Sequence, residues 1–156
     1  MGYTHYFEHT AVTEEVWGKI LTDCRKLKKK LPSRSLSAGG YCKDQELVIG
    51  DGGGEKKLRV FGSKKQIIFN GFPDEMAHET FSLFRDGSDG FEFCKTARKP
   101  YDLLVCACLV VYHYHSQETV KLGSDGDMED WAPAIDFVSN VLGPKYAMKF
   151  KIEVTL

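Results

Sequence analysis

The stretch Pro100-Tyr101-Asp102-Leu103-Leu104-Val105-Cys106-Ala107-Cys108-Leu109-Val110-Val111-Tyr112-His113-Tyr114-His115 decides the fold. Proline suits the first turn of a helix, where its missing N–H had no partner to lose. From Leu103 to Val111 every residue is apolar, so the helix has no polar face to turn to water. Such a helix is buried on most sides and belongs at the centre of a domain. Its apolar run is about half of the ~20 residues that a membrane span needs.

Shorter elements surround it. Upstream, Phe91 to Cys94 reads as a strand after the turn Asp86 to Gly90. Glu79 to Phe84, Gln66 to Phe69, Leu58 to Phe61 and Leu47 to Ile49 read as further short extended runs, with glycine-rich turns at 50–54 and 62–65. Residues 33–46 read as a connection. Gly2 to Thr10 is rich in Tyr, Thr, Phe and His and reads as a first strand. Thr13 is a natural N-cap for a helix over Glu14 to Lys30, and Pro32 stops it. Val16, Ile20, Cys24, Leu27 and Leu31 mark its core face.

Downstream, Thr119 to Leu122 reads as a strand. Ser124-Asp125-Gly126-Asp127 leads into a helix over Met128 to Leu142. Lys145 to Leu156 alternates, with Met148, Phe150, Ile152 and Val154 on the apolar side, as a final half-buried strand does. The pattern predicts one α+β domain over residues 1–156, with an antiparallel or mixed sheet and about three helices.

Composition narrows the class. The chain has 156 residues, 42% apolar and 28% charged, as a globular domain does. Its net charge of -1 gives no basic excess to steer it to duplex nucleic acid or anionic lipid. Five cysteines do not form a disulfide framework, and Cys106 and Cys108 sit in the apolar run. With no secretory signal at the start, the expected compartment is the cytoplasm.

The most informative motif is Cys94-Lys95-Thr96-Ala97-Arg98-Lys99-Pro100-Tyr101-Asp102. It places Lys95, Arg98 and Lys99 before a helix N-terminus, where amides and partial positive charge favour phosphate or carboxylate. Basic residues at that end call for a compensating anion. The bland reading is a solvated loop, with Asp102 in the first turn offsetting the charge. His78-Glu79 and Asn70 add acid–base or hydrogen-bonding groups, although neighbours on a strand face opposite ways. Ser124 to Asp130 lacks the glycine and glutamate of a calcium loop and reads as helix capping. His113 and His115 diverge on their helix, and the run at 50–54 lacks the spacing of a phosphate loop. No metal or cofactor is expected.

Gly2-Tyr3-Thr4-His5-Tyr6, Phe69-Asn70-Gly71, His78-Glu79-x-Phe81, Phe93 to Asp102, and Ser124-Asp125-Gly126 with Trp131 together carry a resemblance. The chain resembles a family of small proteins of bacteria and tailed phages, over most of residues 2–142. The final strand and the glycine turn at 50–54 depart from that pattern. The resemblance implies no particular activity. It implies that Tyr3, His5, Asn70, His78, Glu79, Lys95, Arg98, Tyr101, Asp102 and Asp125 are the residues to test for one pocket, to which the basic motif adds Lys99.

The leading expectation is a small-molecule binding protein whose ligand is anionic, a nucleotide. Lys95, Arg98, Lys99 and the amides of the 101 helix would hold phosphate. Tyr3, Tyr6 or Tyr101 would stack a base. His78, Asn70 and Asp125 would bond base or ribose. A phage source would make it an anti-defense protein sequestering a host nucleotide signal in the host cytoplasm. One alternative is a phosphodiesterase- or nuclease-type hydrolase, with His5 or His78 as acid or base and Lys95 and Arg98 stabilising charge. The other is a protein-interaction module. A homo-oligomer is compatible with each.

Overall fold

Every residue from Leu103 to His113 is buried in the computed structural model, which describes residues 2–8, 10–35, 44–88, 90–116, 120–148, 150 and 152–154. This helix, Asp102–His115, is the centre of the molecule, as its apolar run requires. Numbered in chain order, the strands are β1 (Thr4–Glu8), β2 (Val48–Gly50), β3 (Gln66–Phe72), β4 (Phe81–Phe84), β5 (Phe91–Lys95), β6 (Leu122–Ser124) and β7 (Glu153–Val154). The helices are α1 (Glu14–Lys29), α2 (Asp102–His115), α3 (Met128–Leu142) and the single turn α4 (Lys145–Met148). No helix among the described residues is long and apolar enough to cross a membrane.

The fold is α+β, with two sheets. One has the order β5-β1-β6-β7, antiparallel except for the parallel pair β6–β7. The other is the antiparallel β2-β3-β4. Strand alternation divides the first sheet into two faces. His5, Phe7, Cys94, Leu122 and Ser124 turn inward and are buried. Tyr6, Glu8, Phe91 and Phe93 turn the other way.

Helix ends follow the sequence closely. The Thr13 side chain accepts from the Val16 N–H, with Glu14 and Glu15 in the first turn of α1 and lysines in its last. Asp127 and Asp130 form a reciprocal capping box at the start of α3.

Three expected strands differ. The one read over Thr119 to Leu122 begins only at Leu122 and runs to Ser124, the segment that pairs with β1. Leu58 to Phe61 forms no ladder beyond an isolated bridge between Lys57 and Gly50. Arg25 binds the Phe61 and Gly62 carbonyls through Nε and Nη2, so those acceptors serve α1 and not a neighbouring strand. Lys145 to Leu156 is not one strand either. Pro144 starts α4, with Ala147 N–H donating to the Pro144 carbonyl and the Tyr146 hydroxyl anchored on Asp23. Met148 is therefore 81% exposed, against its expected place on the apolar side. Of the expected strand, Lys149, Lys151, Thr155 and Leu156 lie outside the described residues, as does Thr119 before β6.

Candidate functional site

β1, β6, the loop after β5 and the N-terminal turns of α2 and α3 bring His5, Ser124, Thr96, Asp102, Cys106 and Trp131 together. Gly126 N–H and Trp131 Nε1–H donate to Ser124 Oγ at 2.9 and 3.1 Å. Those two bonds use the hydroxyl's lone pairs, so its own hydrogen goes to His5 Nδ1 at 2.9 Å. The ring hydrogen then sits on Nε2 and donates to Asp102 Oδ1 at 2.7 Å. Thr96 Oγ1 donates to the same oxygen at 2.6 Å, and the Cys106 thiol to Oδ2 at 3.6 Å.

Burial alone would raise the Asp102 carboxyl. The His5 ring and the Thr96 and Cys106 donors outweigh it and hold the pKa below the usual value. Asp102 also opens α2, where negative charge suits the dipole. Burial, with Asp102 beside it, pushes the Cys106 thiol well up, so it stays protonated.

The His5, Asp102 and Cys106 donor atoms lie within 4.8 Å of one another, the spacing of a metal cluster. The tautomer argues against that use. A metal would need the Nε2 lone pair, and a ligating ring passes its other hydrogen to an acceptor. Ser124 has no lone pair left to accept it. The trio is a hydrogen-bond network that ties β1 to α2.

Arg98 closes the outside of this network. Its guanidinium carbon lies 3.9 Å from the Tyr3 ring centroid and its Nη1 3.1 Å from Asp130 Oδ1. Burial would raise the Asp130 carboxyl, but the Asp127 amide and Arg98 hold it low. Ala97 and Arg98 both have left-handed φ, 52° and 59°. L-residues resist this region at about 1–2 kcal/mol each. The Tyr3 carbonyl stabilises the turn by accepting from the Thr96 and Ala97 N–H groups. An Arg98→Ala variant loses only a half-exposed pair and a ring contact. The expected loss is about 1 kcal/mol in urea titration.

A second group forms behind β5. Asn70 is buried, its amide nitrogen donating to the His78 carbonyl and Thr80 Oγ1, and its oxygen accepting from Gly71 and His78 N–H. Glu79 caps the end of β5, accepting from the Lys95 N–H at 2.8 Å and donating its own N–H to the Lys95 carbonyl. The Tyr101 hydroxyl donates to the Glu79 carbonyl at 2.6 Å. Burial, with Asp102 and Glu79 near, pushes the Cys94 thiol up to about 12.

The candidate residues are thus contiguous, but their polar atoms mostly face one another. Tyr3 and Tyr101 are buried and offer no face to a base. Asn70 has no amide atom to spare. Lys99 Nζ donates to the Glu75 carbonyl at 2.7 Å. Asp125 accepts from the Thr4 N–H and the Tyr6 hydroxyl. The amides expected to hold phosphate, from Asp102 to Val105, already donate to carbonyls of residues 99, 100 and 101. The first α2 amides are therefore already paired with the chain's own carbonyls, and the Asp102 carboxylate adds negative charge in the same turn while bonding His5, Thr96 and Cys106. His5 is sealed, with both ring nitrogens engaged, whereas His78 is exposed on the loop before β4.

One feature escaped the sequence reading. Phe91 is 67% exposed and Phe93 60%, although Phe7, Phe69 and Phe81 are buried. They stand two residues apart on one face of β5. The register places Phe93 opposite Tyr6, and Tyr6 opposite Gly123. Lys95 follows on the same face, opposite Thr4. The alternation of Phe91 and Phe93 against Cys94 was visible as a strand signal, but it does not say which face is covered. A separate cavity of about 500 Å³ between the end of α1 and α3, lined by Lys30, Glu129 and Asp136 among others, contains none of these residues.

Protein-family models, curated proteins and solved structures hold no match to this chain.

Proposed function

We propose that the protein binds a nucleotide on the open face of the β5-β1-β6-β7 sheet, with the base on Phe93 and Tyr6 and the phosphate toward Lys95. The observation that carries this reading is the pair Phe91 and Phe93, exposed on a sheet face beside a tyrosine and a lysine. Every nucleobase has a π-face, and stacking on an aromatic ring contributes about 1–3 kcal/mol per base. Lys95 lies one alternate position from Phe93, about 6.5–7 Å along the strand, within reach of a phosphate on a seated nucleotide. Asp125 already binds the Tyr6 hydroxyl, which holds that ring in place.

The reading is binding without turnover, which is what a sequestering protein needs. His5 and Ser124 are fully buried and supply no acid or base to this face.

Calorimetry with the nucleoside monophosphates tests it. Saturable binding is expected, weakened about 5- to 150-fold by Phe93→Ala and diminished by added salt. The variant's melting temperature should stay close to wild type, because an exposed ring contributes little to the core. Chromatography should return the nucleotide unchanged. Absence of binding to any of the nucleotides, or a converted product, overturns the reading.

A further inference from the structure

We infer that the ligand of this face is a single-stranded nucleic acid engaging at least two consecutive bases, one on Phe93 and one on Phe91. This rests on the nucleotide reading above and specifies its ligand. Phe91 and Phe93 are separately open, at 67% and 60% exposure, and a lone nucleotide needs only one of them. Alternate residues on a strand lie about 6.5–7 Å apart, whereas a duplex strand advances ~3.4 Å per base. Bases seated on both rings are therefore drawn apart from their helical stack, which an unpaired strand allows and a duplex does not. Paired bases also hide their faces against their neighbours.

The rest of the face fits a strand crossing it. Gly123 extends the row of Phe93 and Tyr6 without a side chain, so the aromatic shelf continues flat onto β6. Lys95 stands at one end of the two phenylalanines. At the other end, Phe91 is opposite Glu8, and the Glu8 N–H donates to the carbonyl of Lys121, an exposed lysine. The two lysines bracket the rings where phosphates would pass. Glu8 and Asp125 share the face. Asp125 is held by Thr4 and Tyr6, and Glu8 is the carboxylate that a phosphate would meet. Glu8→Gln should therefore tighten binding.

The test is calorimetry of the full chain with uridine monophosphate, its dinucleotide and hexanucleotide, the thymidine equivalents, and a blunt hexamer duplex. Affinity is expected to rise about 5- to 150-fold from mono- to dinucleotide, with the duplex much weaker. Phe91→Ala and Phe93→Ala should each abolish that gain, leaving dinucleotide no tighter than mononucleotide. Both variants should keep the wild-type melting temperature, which separates lost stacking from lost fold. Equal affinity for mono- and dinucleotide overturns this inference and leaves the nucleotide reading standing. Equal binding of duplex and single strand also overturns it, because charge alone would then account for binding. No binding of any of them overturns both readings. So does a dimer that Phe91→Ala and Phe93→Ala dissociate without any oligonucleotide binding, since the face would then belong to a second copy of the chain.

Discussion

His5→Ala is expected to destabilise the protein by about 3–5 kcal/mol at neutral pH, the usual cost of leaving a buried charge without its partner. That is a large share of the ~5–15 kcal/mol by which a domain is stable. The variant affects two groups at once: the Ser124 hydroxyl loses its acceptor and the Asp102 carboxylate its ring N–H donor, keeping only Thr96 and Cys106. Ser124→Ala should cost less, about 1–3 kcal/mol, because it leaves the Gly126 and Trp131 N–H groups unpaired but no charge.

The pH dependence has a definite sign. In the wild type the Asp102 carboxyl is held below its ordinary pKa, so its contribution is full above the carboxylate range and is lost as pH falls through the depressed value. In His5→Ala the ring's lowering influence is lost while Thr96 and Cys106 remain, so the carboxyl pKa rises. The variant then carries a penalty above the carboxylate range that disappears when the group is protonated. Urea titrations of both proteins should show a gap that is widest near neutrality and narrows in acid. Asp23 and Asp130 are also held low, but they are present in both chains and cancel in the difference. A gap that stays constant with pH would mean that the cost is packing alone.

Gly71→Ala is expected to be the other severe change, at or above the upper end of the ~1–3 kcal/mol typical of overpacking. A Cβ at Gly71 would collide with the Met76 carbonyl oxygen and lie 2.9 Å from Tyr101 Cδ1. The oxygen is backbone, and Tyr101 is fully buried with its hydroxyl tied to Glu79. No rotamer relieves the clash, so β3 or the turn after it must move. For a domain of this size about 3 kcal/mol corresponds to a melting temperature roughly 6–12 °C lower. Gly18→Ala is the control of opposite sign. Gly18 lies on the exposed side of α1 with nothing within 4 Å of its Cβ position. Replacing it should stabilise the helix by about 0.5–1 kcal/mol. A Gly71→Ala protein that melts with wild type would show that the close approach at Gly71 in β3 is not a packing constraint.

The clash also explains how the Phe69-Asn70-Gly71 motif is used. Asn70 binds the 78–80 segment through its amide, and Gly71 lets that segment and Tyr101 approach β3. Its residues were visible in the sequence as polar site candidates. The Asn70 amide's partners are backbone groups and the Thr80 hydroxyl of the segment that follows, which makes it a builder of the β3–β4 connection. Lys99 and Tyr101 are used in the same way.

What the sequence determined by itself was local. The unbroken apolar run of α2 dictated a central helix, because no face of it could remain in water. Thr13, Asp127 and Asp130 dictated helix starts, because each satisfies amides within a few residues. What the tertiary structure alone decided was non-local. His5 meets Asp102 and Ser124 across separations of 97 and 119 residues, and no spacing in the chain encodes such a meeting. Period-two alternation said that the two faces of β5 differ, but it could not say that the helices cover Cys94 and leave Phe91 and Phe93 open. That depends on which elements pack against the sheet. The basic motif before α2 is the sharpest case. Local physics made it an anion site, and the fold paired the first helix amides with the carbonyls of residues 99 to 101, which were already within hydrogen-bonding distance.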